Sequence, residues 1–194
     1  MSLAAQLARA LAADAPHEDE ADFGAPEGGY REAAVLVPIT RRAAPGVILT
    51  QRPEWLRSHA GQVAFPGGKL EPEDEHNAVS AALREAEEEL AIPPAQVEVI
   101  GTAEPYLSGS GFRIVPVIAL VPPDLDLTPC PDEVADWFEV PLAWLLDRGN
   151  AERKTGVWRG ASRTYYDMDW HGRRIWGVTA GIIANLSRRL TWDQ

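Results

Sequence analysis

One helical segment in the middle of the chain constrains the fold more than any other feature. It begins near Asn77 and is stopped by two consecutive prolines, Pro93 and Pro94, which cannot continue a helix. Its apolar residues fall on one narrow stripe of a helical wheel: Val79, Leu83, Ala86 and Leu90. A stripe of this kind faces a core, so the sequence predicts a helix packed on other elements.

A second side of the same helix is acidic. Glu85, Glu88 and Glu89 lie together there, with Arg84 beside Glu88. Like charges at these spacings repel by a few tenths of a kcal/mol, roughly 0.2–0.5 kcal/mol per pair. The acidic side is therefore either an ordinary solvated face or a place where a cation binds between the carboxylates.

The residues upstream of this helix favour the second interpretation. Gly67 and Gly68 permit close backbone approach, and backbone N–H groups at such a position can bind phosphate oxygens. Lys69 adds a positive charge. Mg²⁺ is usually held by a few carboxylates together with substrate phosphates. Glycines followed by clustered glutamates thus predict a metal-assisted phosphoryl site.

The flanking segments predict an α/β domain with a mixed sheet. Strands are expected at 32–40, 46–52, 97–106 and 112–122, with a loop ending in FPGGK before the acidic helix. Short helices are expected at 3–13 and 140–147, a hairpin at 163–177 turning at His171 and Gly172, and a closing helix at 179–190. The acidic stretch 16–29 is expected to be a linker, giving an N-terminal helix and linker at 1–29 and a main domain at 30–194.

Composition excludes several classes of function. The chain has 194 residues, 45% of them hydrophobic, and no apolar run approaches the ~20 residues of a membrane span. The net charge of −11 argues against broad nucleic-acid binding, although local cations can still bind a small polyanion. Cys130 is the single cysteine, which excludes an internal disulfide and fits a reducing cytoplasm. Its position between two prolines is typical of a loop residue rather than a nucleophile.

Gly68 together with the stretch from Arg84 to Ile92 resembles the signature of the Nudix hydrolases, G-x5-E-x7-R-E-U-x-E-E-x-G-U with U a bulky aliphatic residue. The matching residues are Arg84, Glu85, Glu88, Glu89 and Ile92, with the smaller Ala86 at the first U. The resemblance implies the Nudix fold, a mixed β-sheet sandwiched between α-helices. It also implies hydrolysis of a nucleoside diphosphate linked to another moiety, with Mg²⁺ or Mn²⁺ bound by Glu85, Glu88 and Glu89.

The sequence departs from this signature at two places. Ala91 replaces the final glycine, which is expected to alter only the helix exit. The loop before Arg84 is two residues longer, so the first acidic position falls on Asp74 counted from Gly68 and on His76 counted back from Arg84. The role of Asp74 is open at this point.

A second stretch, residues 49–68, is similar to the segment L-T-x-R…R-x-H-x-G-Q-[VI]-x-F-P-G-G of the Nudix coenzyme A pyrophosphatases. The matching positions are Leu49, Thr50, Arg52, Arg57, His59, Gly61, Gln62, Val63 and residues 65–68. The resemblance implies cleavage of coenzyme A to 3′,5′-ADP and 4′-phosphopantetheine. ADP-ribose or NADH hydrolysis, and a Nudix-fold binding module without activity, are the alternatives.

Several residues receive expected roles. Arg84, Glu85, Glu88 and Glu133 are the candidate catalytic residues, and Glu133 is equally well read as an ordinary acidic residue of its loop. Arg84 either pairs with Glu88 at the surface or orients a neighbouring glutamate. His59 has no nearby His or Cys that would complete a metal site. The candidate substrate-binding residues are Arg52, Arg57, His59, Gln62, Gly67, Gly68 and Lys69. The expected partner is a small-molecule substrate, and a homodimer is among the open oligomeric states.

Overall fold

The structure is a computed structural model that describes residues 2–13, 26–158 and 161–190. The helices are α1 (Leu3–Ala12), α2 (Ala78–Leu90), α3 (Leu142–Leu146) and α4 (Gly177–Arg189). The strands are β1 (Arg31–Thr40), β2 (Gly46–Gln51), β3 (Val63–Ala64), β4 (Gly67–Lys69), β5 (Glu98–Thr102), β6 (Tyr106–Leu107), β7 (Phe112–Val121), β8 (Asp136–Pro141), β9 (Glu152–Trp158), β10 (Ala161–Trp170) and β11 (Arg173–Trp176). Most of the predicted linker at 16–29 lies outside the described residues.

The main sheet has eight strands and mixed direction. Its central path runs β3-β2-β1-β7-β5, with β4 beside β1, β6 beside β7 and β8 beside β2. The pair β1 and β7 is parallel along ten residues, and the other pairs are antiparallel. This confirms the predicted mixed α/β sheet.

Helices cover both faces of this sheet. Along β1, Ala34 and Leu36 pack towards α2, whereas Val37 and Ile39 pack in the opposite cluster with α1, α3 and α4. This alternation follows from the two-residue period of a strand. None of the helices in the described ranges is long and apolar enough to cross a membrane.

The helix α2 begins and ends with recognisable caps. The Asn77 side chain accepts from the backbone N–H groups of Val79 and Ser80 at 2.9 and 3.3 Å. At the other end Ala91 takes a left-handed conformation with φ 57°, and its N–H donates to the Glu87 carbonyl. The position of the family's final glycine is thus a left-handed cap, which an alanine adopts here at a cost of roughly 1 kcal/mol.

The predicted core stripe of α2 does pack on the core, but the buried face extends beyond it. Val79 and Leu83 are only partly buried, while the residues fully buried against the sheet are Ala81, Ala82, Ala86, Glu89 and Leu90. Small side chains allow the helix to approach the sheet closely, and the contact face is rotated accordingly. This rotation carries Glu89 into the protein.

Some strands differ from the prediction. The expected strand at 97–106 is two strands, β5 and β6, separated by a segment that contains Pro105, which has no N–H for a ladder. The expected FPGGK loop contains β4, which pairs with β1. The strands β3, β8 and β9 were not predicted, and β9 forms a second, three-stranded sheet with the predicted hairpin β10–β11.

Candidate active site

The helix α2 presents two glutamates on its sheet-facing side. Glu85 and Glu89 are four residues apart and therefore lie one above the other. The Glu89 side chain is buried, at 3% exposed, and Glu85 is half-buried. Glu88 points elsewhere, with its side chain 56% exposed and its carboxylate 2.9 Å from Arg84 Nη1. Of the three predicted metal ligands on α2, Glu85 and Glu89 therefore lie together, and Glu88 lies apart from them.

A third carboxylate reaches the pair from the turn before β8. Single carboxylate oxygens of Glu85, Glu89 and Glu133 lie within 4.8 Å of one another. The backbone of this turn is attached to α2, because Cys130 N–H donates to the Glu89 carbonyl at 2.9 Å. Glu133 N–H then donates to the Cys130 carbonyl at 3.0 Å. Cys130 therefore contributes to the site through its backbone, which attaches the turn with Glu133 to α2.

The electrostatics of the group are unfavourable without a cation. The pKa of Glu89 is raised to about 8, chiefly by burial and also by the charges of Glu85 and Glu133, while the Gly67 backbone and Arg52 act in the other direction. Burial also raises the pKa of Glu85, opposed by Arg84. The Oε2 atom of Glu89 is buried and has no hydrogen-bond partner among the residues that the structure describes. An unpaired buried oxygen among clustered carboxylates matches the all-oxygen coordination that Mg²⁺ and Mn²⁺ take.

The Arg84 guanidinium contacts three carboxylates, those of Asp74, Glu85 and Glu88. Its Nε and Nη2 donate to the two oxygens of Asp74 at 3.1 and 3.0 Å. Its Nη1 lies 3.1 Å from Glu85 and also bonds Glu88. Nη2 additionally donates to the Lys69 carbonyl. Arg84 therefore contacts both Glu88 and Glu85, and its role in orienting Glu85 stays a prediction.

Asp74 is the buried acidic residue whose carboxylate accepts two hydrogen bonds from Arg84. It is 3% exposed, accepts from the Glu71 backbone N–H at 2.8 Å, and has its pKa lowered chiefly by the hydrogen bond from Arg84. His76 is exposed and takes a left-handed conformation. The longer loop allowed two positions for the first acidic residue of the signature. The position counted from Gly68, Asp74, is the one that contacts Arg84. The sequence-derived list of site residues omitted Asp74, although this spacing pointed to it.

The two glycines of β4 leave space for two different neighbours, the Glu85 carboxylate and the β1 backbone. A Cβ on Gly68 would overlap the Glu85 carboxylate, and a Cβ on Gly67 would overlap the β1 backbone at Ala34 and Val35. The Gly67 backbone also hydrogen-bonds the Glu89 carboxylate. The prediction of a glycine loop was therefore wrong, because both glycines lie in a paired strand. Their contact with substrate phosphates stays a prediction, as does that of the exposed Lys69.

The predicted cations and their neighbours lie in the loop from β2 to β3. Arg52 N–H donates to the Gln62 carbonyl at 2.9 Å, which closes the base of this loop. The Arg52 charge is close enough to lower the pKa of Glu89, and within the described part of the chain the buried Nε of Arg52 has no hydrogen-bond partner. His59 Nδ1 lies 2.9 Å from Gln62 Oε1, and both Arg57 and His59 are exposed. The structure therefore brings Arg52 to the acids and places Arg57 and His59 on the loop outside them.

These features define a hydrolase site with clustered carboxylates on one helix and cations at its edge. The NUDIX domain family model matches residues 29–158. The chain therefore belongs to the Nudix hydrolase family and is an enzyme that acts on pyrophosphate bonds.

Similar proteins are consistent with this assignment. A relative from Escherichia coli, named as the uncharacterized Nudix hydrolase NudL, is 48% identical over 162 residues, 83% of each chain. A crystal structure of a Nudix hydrolase from M. smegmatis, RenU, is 25% identical with a TM-score of 0.52, covering 63% of this chain and 81% of that one. A MutT/nudix family protein from Enterococcus faecalis shares the fold at 16% identity and a TM-score of 0.50, covering 97% of this chain and 68% of its own.

Proposed function

We propose that this enzyme hydrolyses the pyrophosphate bond of coenzyme A and its derivatives, giving 3′,5′-ADP and 4′-phosphopantetheine. The proposed cofactor is Mg²⁺ or Mn²⁺. The observation that carries the proposal is the convergence of Glu85, Glu89 and Glu133 within 4.8 Å, with Arg52 beside them. The substrate is inferred from the resemblance of residues 49–68 to the coenzyme A pyrophosphatases.

The three converging carboxylates are the residues that would hold the divalent ion. When bound, the ion neutralises charge on the pyrophosphate and makes water a stronger nucleophile. Glu88 was predicted as one of three metal ligands, with Glu85 and Glu89, and stays one in this proposal, in addition to its ion pair with Arg84. Arg84 and Asp74 fix the orientation of Glu85.

The chain's own groups then carry the proton and the charge. Water attacks one phosphorus, the bond from that phosphorus to the bridging oxygen breaks, and the second phosphate leaves with this oxygen. Glu133, the most exposed of the three acids, accepts the proton of the attacking water. Arg52 and Lys69 neutralise the charge that develops on the phosphate oxygens, and Arg suits bidentate contact with them.

The loop from β2 to β3 is proposed to bind the rest of the substrate. Arg57, His59 and Gln62 lie on it, and the His59–Gln62 contact holds part of the loop in place. Because the loop starts at Arg52, whose charge lowers the pKa of Glu89, it begins near the acids. ADP-ribose and NADH carry the same pyrophosphate group, so the side chains of this loop must provide the selectivity for coenzyme A.

A product assay on coenzyme A, dephospho-coenzyme A, ADP-ribose and NADH tests the proposal. With Mg²⁺ we expect the highest kcat/KM for coenzyme A and the two products named above, identified by mass spectrometry. EDTA should abolish turnover, and added Mg²⁺ or Mn²⁺ should restore it. Faster cleavage of ADP-ribose than of coenzyme A would overturn the proposed substrate, and full turnover in EDTA would overturn the metal-assisted mechanism.

A further inference from the structure

Arg173 at the start of β11 connects the C-terminal hairpin to the main sheet. Its Nη1 donates to Gln51 Oε1 at 3.0 Å, and its Nη2 donates to Asp136 Oδ2 at 2.7 Å. The guanidinium also lies over the Phe138 ring, 4.3 Å from the centroid. This arginine lies outside residues 29–158, the part of the chain that the family model matches.

The two polar partners of Arg173 occupy a particular place in the sheet. Gln51 and Asp136 are opposite each other in the pair of β2 and β8, at the end of β2 and the start of β8. Beyond this pair the Ala135 N–H still donates to the Gln51 carbonyl at 2.9 Å. The guanidinium therefore bridges two strand ends at the point where their regular pairing stops.

Site residues follow directly on both strands. Arg52 comes immediately after Gln51, and Glu133 lies three residues before Asp136. The carboxylate of Glu133 belongs to the group with Glu85 and Glu89. Any relative movement of the two strand ends would shift Glu133 and Arg52 against α2.

We propose that Arg173 is a positioning residue for the metal centre. By bonding Gln51 and Asp136 at once, it fixes the strand ends from which Arg52 and Glu133 project, and so keeps the Glu133 carboxylate beside Glu85 and Glu89. The planar guanidinium can bind two acceptors in fixed directions, whereas a lysine ammonium cannot reproduce this geometry. The inference rests on the metal site of the proposed function and is independent of which diphosphate is the substrate.

Mn²⁺ affinity, measured by electron paramagnetic resonance without substrate, tests this role. The variants are Arg173→Ala, Glu133→Gln and the double variant. Arg173→Ala should weaken Mn²⁺ binding by about fivefold, the change that roughly 1 kcal/mol of coupling between contacting groups produces. In the Glu133→Gln background the same substitution should have little further effect, because the ligand it positions is already lost. Arg173→Lys should restore only part of the affinity.

Arg113 provides the matched control. It forms a surface ion pair with Glu32 at 2.9 Å with side chains 43% and 44% exposed, similar to the 33% and 52% of Arg173 and Asp136. Arg113→Ala should leave Mn²⁺ affinity unchanged. If Arg173→Ala does not fold, Asp136→Asn removes the same ion pair with a smaller change and takes its place in the comparison.

Three outcomes would overturn the inference. One is unchanged Mn²⁺ affinity in Arg173→Ala. Another is equal weakening in both backgrounds, which indicates general destabilisation rather than positioning of Glu133. The third is unchanged affinity in Glu133→Gln itself, which removes the residue to be positioned. The substrate assay on the diphosphate panel does not enter this comparison, so failure of the proposed substrate can be distinguished from failure of this inference.

Discussion

Glu89 carries a carboxylate that the fold has removed from solvent. The acidic side of α2 left open in the sequence whether this position is a solvated face or a cation site, and the 3% exposure excludes a solvated position for Glu89. Burial next to Glu85 and Glu133 makes the ionised form of Glu89 unfavourable, which is why its pKa rises to about 8. The buried Glu89 carboxylate is therefore stabilised when it binds a proton or when a cation binds beside it.

The first prediction concerns the stability of the metal-free protein. Between the unfolded pKa of Glu89, near 4.5, and the folded pKa of about 8, the folded protein binds more protons than the unfolded chain. The free energy of unfolding in EDTA should therefore fall as pH rises through this window, by up to about 1.4 kcal/mol per pH unit. Glu85, whose pKa is also raised, acts in the same direction.

Urea unfolding at pH 5.5 and pH 8 measures this fall. Glu89→Gln keeps the shape of the side chain without a titratable group, so its free energy of unfolding should depend less on pH than that of the wild type. Asp74 does not contribute in this range, because its lowered pKa affects stability only under more acidic conditions. Parallel pH profiles for wild type and variant would contradict the account.

At the scale of elements, the short strand β4 holds the acids in place. Its pairing with β1 fixes Gly67 and Gly68 against α2, and the Gly68 position leaves space that the Glu85 carboxylate fills. A Cβ at position 68 would meet the carboxylate at the end of the flexible Glu85 side chain. A methyl group at Gly68 should therefore move Glu85 without disrupting the strand.

The second prediction follows from this packing. Gly68→Ala should change the free energy of unfolding by at most about 1 kcal/mol while reducing kcat by roughly tenfold or more, since a misplaced ligand loses transition-state contacts. Gly156→Ala in β9, far along the chain from Gly68, is the control, because a Cβ there makes only ordinary contact with Tyr165. Urea unfolding and steady-state kinetics separate the two effects. A wild-type kcat in Gly68→Ala would show that catalysis does not depend on the space that Gly68 leaves for the Glu85 carboxylate.

Local patterns predicted the long elements and the residues on them. The period of α2, its proline stop and the alternation along β1 depend on neighbours in sequence, so the mixed sheet and the helix with Glu85 and Glu89 were predictable. The full buried face of α2 was not, because Ala81, Ala82 and Glu89 are also buried, beside the predicted stripe.

The remaining part of the site depends on contacts between distant residues. Glu133 joins the acids through the hydrogen bond from Cys130 to the Glu89 carbonyl, which no local pattern encodes. The short strands β3 and β4 are defined by their partners β2 and β1 rather than by their own two or three residues. Asp74 was reachable from spacing alone, but only its bonds to Arg84 show its role.

At the scale of the whole molecule, the charge of −11 opposes any polyanionic substrate at long range. Coenzyme A differs from dephospho-coenzyme A by a 3′-phosphate with up to two negative charges. Only local cations can therefore make that phosphate favourable. Arg52, Arg57 and Lys69 are the cations near the motif in sequence, and Arg57 is the exposed one on the loop.

The third prediction is a preference for coenzyme A over dephospho-coenzyme A that depends on this loop. A charge-assisted bidentate contact contributes ~1.5–3 kcal/mol, which is roughly a tenfold to hundredfold preference in kcat/KM. Arg57→Ala should reduce this ratio more than it reduces hydrolysis of dephospho-coenzyme A. Arg41→Ala, which removes a surface ion pair with Glu98, should leave the ratio unchanged. Equal kcat/KM for both substrates in the wild type would rule out the contact.

The central claim is that Glu85, Glu89 and Glu133 together hold a divalent cation. Mn²⁺ affinity of the three single Glu→Gln variants, measured without substrate, tests it most directly, with Glu87→Gln on the exposed side of α2 as the control. Each of the three variants should bind Mn²⁺ at least about tenfold more weakly than wild type, since each loses a charged oxygen ligand. Glu87→Gln should bind as the wild type does. Wild-type affinity in all three variants, or a loss equally large in Glu87→Gln, would contradict the claim.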